Sequence, residues 1–318
     1  MSEARHADGG ATSTEHTAVT TRRESPLRHR AFSPQRIAAI CANTLTELTR
    51  MKVFYFLLLF GLILIGGSVF LARFSFQQEF QILKDISLGS MSIFSSLLAI
   101  VTTARLIPQD IEDRTVYSIL AKPVPRFEYL IGRLGGVLVL LAVSLVAMSA
   151  AFLAVLYMRE QAVLHETARQ MSAAPGDQLN QALQAIRESA FNLNLFSGIA
   201  IIYVKACLLA ALTLFVSTFA TTSLFTVVVM AFIYFIGHLQ GTAREYWLHQ
   251  HGADWGARLF LAFVALVFPD LQAFNFVDEV VVGTAIPLML FLKTVGLGAF
   301  YVVLYTALAA VVFSGKEL

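Results

Sequence analysis

Residues 107–126 read IPQDIEDRTVYSILAKPVPR, a polar segment that lies between two long apolar stretches of the chain. Pro108 and the acidic residues that follow it suit the first turn of a helix, because the positive end of the helix dipole favours carboxylates. Pro123 and Pro125 would end this helix, since the residue before a proline avoids helical dihedral angles. The segment therefore predicts a short, rigid helix over residues 108–121.

The composition of the whole chain indicates a membrane protein. Its 318 residues are 57% hydrophobic and 14% charged, with a mean hydropathy of +0.70, which is too much apolar surface for a water-soluble fold of this length. Six apolar runs approach the ~20 residues that a helix needs to cross a ~30 Å hydrocarbon layer. They cover residues 53–72, 86–106, 129–157, 195–220, 222–238 and 286–313. Because lipid offers no partners to backbone N–H and C=O groups, the sequence predicts an all-α membrane protein with six transmembrane helices.

The distribution of basic residues predicts the orientation in the membrane. Basic residues are concentrated before the first apolar run (Arg28, Arg30, Arg36, Arg50, Lys52) and around the connection between the second and third (Arg105, Arg114, Lys122, Arg126, Arg133). Short cytoplasmic connections carry an excess of Lys and Arg. Both termini and residues 107–126 are therefore predicted to be cytoplasmic.

The segment before the first apolar run divides into two parts. Residues 1–32 contain few large apolar side chains and cannot bury enough surface to offset chain entropy, so we expect a disordered cytoplasmic tail. Residues 33–52 begin with a Ser-Pro pair that suits a helix start, and apolar residues then recur at helical spacing. These residues are Ile37, Cys41, Leu45 and Leu48. The pattern predicts an amphipathic helix at the inner membrane surface, ahead of a six-helix domain over residues 53–318.

Two further connections are predicted to have structure of their own. Residues 158–194 contain two helical patterns separated by a Pro-Gly turn, which predicts an external helical hairpin. Between the fifth and sixth apolar runs, residues 259–268 form an apolar stretch that is too short to cross a bilayer. We expect a re-entrant segment over residues 256–276.

The motif around residues 107–126 resembles the signature of ABC-2 type transporter permeases. The resemblance rests on Asp110-Ile-Glu-Asp-Arg-Thr115, then Leu120-Ala-Lys-Pro-Val-Pro-Arg126, then Gly132-Arg133. The chain departs from the common family pattern by having Arg114 for Gly, Pro125 for Ser and Arg133 for Lys. Its Arg-Thr and Lys-Pro variants resemble the branch that includes the permease of nitrous-oxide reductase maturation.

This resemblance implies a function and a set of partners. It implies a permease subunit of an exporter in a bacterial inner membrane, paired with a second permease subunit and with two copies of an ABC ATPase. The polar helix would then be a coupling helix that docks onto the ATPase, and ATP and Mg would be bound by that partner and not by this chain. The residues that we expect to couple to the ATPase are Asp110, Glu112, Asp113, Arg114, Tyr117 and Arg126.

Sequence motifs of enzymes are absent from the chain. It contains no Gly-x-x-x-x-Gly-Lys-Ser/Thr phosphate-binding loop, no His-Glu-x-x-His zinc motif and no Gly-x-Ser-x-Gly elbow. His249 and His251 lack the flanking ligands of a metal site. We therefore expect no catalytic residues, no metal and no nucleic acid partner. Two alternatives to transport stay open, which are a membrane scaffold that recruits a soluble partner and an intramembrane enzyme.

Two lysines fall inside predicted transmembrane helices, Lys205 in the fourth and Lys293 in the sixth. A charge at such a position is costly and is often functional. One interpretation is that both side chains reach the lipid headgroups, which their long apolar stems allow. The other is that one of them lines a substrate path and contacts an anionic or polar cargo.

Overall fold

The computed structural model describes residues 33–72, 78–112, 125–172, 176–192, 194–250, 255–256, 268–284 and 286–315, with only the backbone described for 242–250. Within these ranges the regular structure is helical, without strands. The helices are α1 (Pro34–Thr49), α2 (Lys52–Ala72), α3 (Glu79–Glu112), α4 (Arg126–Gln170), α5 (Gly176–Ala190), α6 (Asn194–Phe219), α7 (Ser223–Gln250), α8 (Val277–Val282) and α9 (Leu288–Gly315).

Six of these helices are long and apolar enough to cross a membrane, as the sequence predicts. They are α2, α3, α4, α6, α7 and α9. α3 and α6 lie at the centre, because most of their side chains are buried, whereas α2 exposes Tyr55, Phe56 and Leu59. An exposed apolar face of this kind suits lipid, which supports a multi-pass membrane protein.

The predicted helix start at Pro108 is wrong. Residues 108–112 continue α3, and Pro108 lies inside that helix and is buried. A proline followed by acidic residues favours a helix start only where the preceding chain is not already helical. Here Leu106 and Ile107 are buried in the core, so packing keeps the helix intact through Pro108. Residues 113–121 of the predicted coupling helix lie outside the described residues.

The predicted amphipathic helix is α1, which packs across the beginning of α4. Two glycines on α4 allow the close approach. A Cβ atom at Gly132 would lie 2.7 Å from the Ile40 side chain, and one at Gly136 would lie 2.6 Å from Thr44 Cβ. The spacing of four residues places both glycines on one face of α4, where the side chains of α1 pack directly against the α4 backbone.

The two other structured connections differ from their predicted bounds. α4 runs to Gln170, so the first arm of the predicted hairpin over 158–194 is a continuation of the third transmembrane helix. α5 forms the second arm and contacts α4. Residues 257–267 of the predicted re-entrant segment lie outside the described residues. After them, Leu271 N–H donates to Gly237 O at 3.0 Å, and a 3₁₀ turn over Gln272–Phe274 follows.

Candidate functional site

A buried ion network joins α1, the end of α3 and the beginning of α4. At its centre is Arg133, which is 5% exposed and forms an ion pair with Asp110. The same guanidinium donates to Glu47 Oε2 at 2.5 Å and lies 3.4 Å from Thr44 Oγ1. Arg133 therefore links three helices through one side chain, since a guanidinium carries five donors in a fixed plane.

Aromatic side chains extend this network to α9. The Tyr129 hydroxyl donates to Asp110, and the Tyr129 ring stacks on Phe313 with ring centroids 6.0 Å apart. The Arg133 guanidinium lies 5.7 Å from the centroid of the Tyr129 ring, within the range of a cation–π interaction. Asp110 thus accepts hydrogen bonds from both Tyr129 and Arg133.

Two further contacts secure the start of α4. Glu128 is 1% exposed and forms an ion pair with Arg36 at 3.1 Å, and it accepts the Ser33 N–H at 2.9 Å. Arg126 donates to two backbone carbonyls at the end of α9, those of Phe313 at 3.0 Å and Ser314 at 2.8 Å. The carbonyls at the C-terminus of a helix lack partners within the helix and attract cations. The four helices α1, α3, α4 and α9 are consequently tied together at one end of the bundle.

The carboxylates of this network are paired within the chain. Asp110, Glu47 and Glu128 each contact an arginine, and Asp110 also accepts from Tyr129. The network lies at both borders of residues 113–124. Asp110 precedes them by three positions, and Arg126 follows them by two. The described residues on either side of that segment therefore belong to one cluster.

The structure divides the residues that we expect to dock onto an ATPase. Asp110 is 4% exposed and faces the protein interior, so its inclusion in an exposed docking surface is wrong. Arg126 contacts the end of α9, and Glu112 is exposed at the end of α3. Asp113, Arg114 and Tyr117 lie outside the described residues. Asp110 is buried because its partner Arg133 is itself packed beneath α1, which the local sequence does not reveal.

Lys205 forms a second polar cluster, where α6 contacts α3 and α7. It is 2% exposed, so its side chain is enclosed by the protein and does not extend along the outer surface of the bundle. Its Nζ atom lies 3.4 Å from Ser92 Oγ and 3.2 Å from His238 Nε2, and it is 5.7 Å from the centroid of the Tyr234 ring. The ion pairs found among the described residues do not include Lys205.

The hydrogen bonds of His238 identify its tautomer. Nδ1 lies 3.0 Å from the Tyr234 carbonyl oxygen, which can only accept, so Nδ1 carries the proton. A protonated Lys205 donates to Nε2, and with this pairing the imidazole is neutral. The lysine ammonium is then the charge of this cluster.

Lys293 does not share this site. Its side chain is exposed on α9, and within the described residues it makes no hydrogen bond to the Lys205 cluster. Four residues of these clusters were not predicted from the sequence, which are Glu47, Glu128, Tyr129 and His238. For the Lys205 cluster, a second polar residue in an apolar run, His238, was a signal of the same kind as Lys205 itself.

The described residues contain no group of three His, Cys, Asp or Glu side chains that could hold a metal ion, and the side chains of His249 and His251 lie outside them. A scan against protein-family models and a search of curated proteins returned no match to the chain.

Proposed function

We propose that this chain is the permease subunit of an ATP-binding cassette exporter of the ABC-2 type. It would move an unidentified substrate across the membrane with ATP that a separate ATPase subunit hydrolyses. Two features support the proposal, which are the resemblance carried by residues 110–133 and the six helices long and apolar enough to cross a membrane. A bacterial inner membrane, cytoplasmic termini and a second permease subunit belong to the same proposal.

The single observation that carries the proposal is the network centred on Arg133, whose described members lie on both sides of residues 113–124. Residues 113–124 hold most of the resembling motif. A force applied to a segment anchored in this way would reach α1, α3, α4 and α9 together. A connection that only joined two transmembrane helices would not need ion pairs and hydrogen bonds that hold four helices together at its ends.

In the proposed mechanism, ATP binding draws two ATPase subunits together, and their movement is transmitted through residues 112–124 to the helices. Glu112, Asp113, Arg114 and Tyr117 would contact the ATPase, while Asp110 and Arg126 position the segment from within. ATP can shift the balance between two arrangements of the bundle only if it interacts differently with each. ATP and Mg would be bound by the partner.

The experiment compares a docking variant with a matched control. The chain is co-expressed with each ABC ATPase of its source organism in turn, and the purified protein is placed in nanodiscs. We expect one ATPase to co-purify, and Arg114→Glu to weaken its binding by about tenfold, as truncation or reversal of one interface charge often does. The control Lys293→Gln, an exposed position on α9, should bind the ATPase normally.

Two outcomes would contradict the proposal. If none of the ATPases binds the intact chain, the transport function fails. If an ATPase binds but its rate of ATP hydrolysis is independent of the permease, the chain acts as a scaffold and not as a transporter.

A further inference from the structure

A groove runs along the side of the bundle between α3 and α7. Its volume is about 630 Å³, within the range of pockets that hold small ligands. Most of its lining is apolar and comes from Ile93, Leu97, Ile100, Val101, Val227, Ala231 and Phe235. Ile93 is 52% exposed and Phe235 is 68% exposed, so the groove opens sideways, where lipid would surround the protein.

The polar lining of the groove is confined to Ser96, Tyr234 and His238. His238 lies at one end of the stretch that α7 contributes, and Val227 lies at the other. These positions are separated by about 16 Å at 1.5 Å per helical residue. The groove is thus an elongated apolar trough with polar groups toward one end.

A positive charge lies directly behind that polar end. The His238 side chain lines the groove and accepts a hydrogen bond from Lys205, so the ammonium is one side chain behind the groove wall. A charge in the membrane interior normally pairs with another charge or faces a functional cavity. The described residues offer Lys205 only neutral partners, the Ser92 hydroxyl and the His238 imidazole. Asp270 also acts electrostatically on His238, but its carboxylate already accepts the Gln272 N–H at 3.0 Å, whereas the Lys205 ammonium has no anionic hydrogen-bond partner among the described residues. The low dielectric of the surroundings strengthens the attraction of that ammonium for an anion.

We propose that this groove binds one molecule of an acidic lipid. Its anionic headgroup lies at the His238 end, where Lys205 supplies the opposite charge, and an acyl chain lies along the apolar walls toward Val227. A zwitterionic lipid carries a cation that this end disfavours, and a fully apolar molecule leaves the lysine without a counter-ion. Lipid binding in this groove does not require the partner ATPase. A role of the bound lipid as transported cargo rests on the proposed function.

Photocrosslinking of the purified chain tests the binding site. The chain is placed in phosphatidylcholine nanodiscs that contain a trace of phosphatidylglycerol with a diazirine on its acyl chain. After illumination, mass spectrometry of the peptides should locate crosslinks in residues 93–101 and 227–238. Excess phosphatidylglycerol should compete with the probe, and excess phosphatidylcholine should not.

Two variants test the charge and the trough separately. Lys205→Met removes the charge at similar length, and we expect it to lower crosslinking by about tenfold, as loss of a unit charge near a low-dielectric site implies. Ala231→Phe fills an exposed part of the trough without touching the lysine, and it should also block the probe. Lys293→Gln is the matched control, because it removes an exposed lysine of α9 and should leave the crosslinks unchanged. The melting temperature of each variant checks its fold.

The proposal is overturned if phosphatidylcholine competes equally, which would mean ordinary boundary lipid, or if folded Lys205→Met retains full crosslinking. A third outcome would also overturn the proposal. If the lipid probe gives no crosslinks and two copies of the Leu97→Cys variant form a disulfide with each other, a second chain covers the groove. The experiment contains no ATPase, so its result is separate from that of the proposed function.

Discussion

At the scale of single residues, two of the buried basic side chains in the described ranges, Arg133 and Lys205, have opposite surroundings. Arg133 is shared between the carboxylates of Asp110 and Glu47, and the Tyr129 ring lies beside it. Lys205 has a hydroxyl and a neutral imidazole. A satisfied buried ion group fixes the position of its helices, whereas a charge with only neutral partners favours the binding of an anion. Arg133 therefore holds the helices in place, and Lys205 is the charge of the proposed lipid site.

The first prediction concerns Asp110. Asp110→Ala leaves Arg133 and Tyr129 without one of their buried partners, and removal of one member of a buried ion pair costs about 3 kcal/mol or more. We expect a clearly lower melting temperature of the detergent-purified protein. Glu112→Ala, two positions along at the exposed end of α3, should melt close to the unmodified chain.

A second variant separates the loss of the pair from a general packing defect. Asp110→Ala combined with Arg133→Met removes both buried charges, so the double variant should regain part of the lost melting temperature. If Asp110→Ala melts at the same temperature as Glu112→Ala, the buried network does not hold the helices together.

At the scale of helices, the position of α1 depends on the absence of side chains along α4. Gly132 and Gly136 face Ile40 and Thr44 at distances that leave no room for a Cβ atom. Gly135 also lies beside α1, but a Cβ atom there would lie 3.6 Å from Cys41 Sγ, which is an ordinary contact. Close packing at two glycines and the Arg133–Glu47 ion pair act on the same pair of helices.

The second prediction follows from these distances. Gly136→Ala would place a Cβ atom 2.6 Å from Thr44 Cβ and 2.9 Å from the Cys41 carbonyl oxygen, so α1 must move away. Overpacking of this kind costs about 1–3 kcal/mol. We expect a lower melting temperature and faster proteolysis within residues 34–49 than in the unmodified chain. Gly135→Ala makes the same chemical change one position earlier and should behave like the unmodified chain. Equal effects of the two substitutions would show that α1 is not held by this contact.

The sequence was sufficient for the transmembrane helices and insufficient for the sites. Each transmembrane helix can be predicted from its own apolar run, because the length and composition of the run are local properties of the sequence. The end of α3 was misjudged because Pro108 and Asp110 form a local helix-start pattern, while the pairing that overrides it joins Asp110 to Arg133, 23 positions away. Similarly, Lys205 meets His238 only after α6 and α7 pack together, and no periodicity in either helix encodes that contact.

At the scale of the whole molecule, α3 connects the ion network with the groove. Asp110 near its end belongs to the network, and Ser96 and Ile93 in its middle line the groove. From Ser96 to Asp110 is about 21 Å along a helix. Pro108 lies close to the network end, at a position where a missing backbone donor weakens the helix. A displacement of residues 113–124 would reach the groove wall through this one helix.

The last prediction tests that connection in the complex with the ATPase. Spin labels are attached to Leu97→Cys on α3 and Ala231→Cys on α7, on opposite walls of the groove, after the native Cys41 and Cys207 have been replaced. In the proposed transport cycle the separation of these helices differs between the two bundle states, so we expect the distance between the labels to change when ATP and vanadate are added. Asp110→Asn weakens the link between α3 and α4, so with the ATPase still bound it should reduce this change. Lys293→Gln should not. A label distance that is the same with and without nucleotide, in a complex that hydrolyses ATP, would mean that α3 does not transmit movement to the groove and would favour the scaffold function.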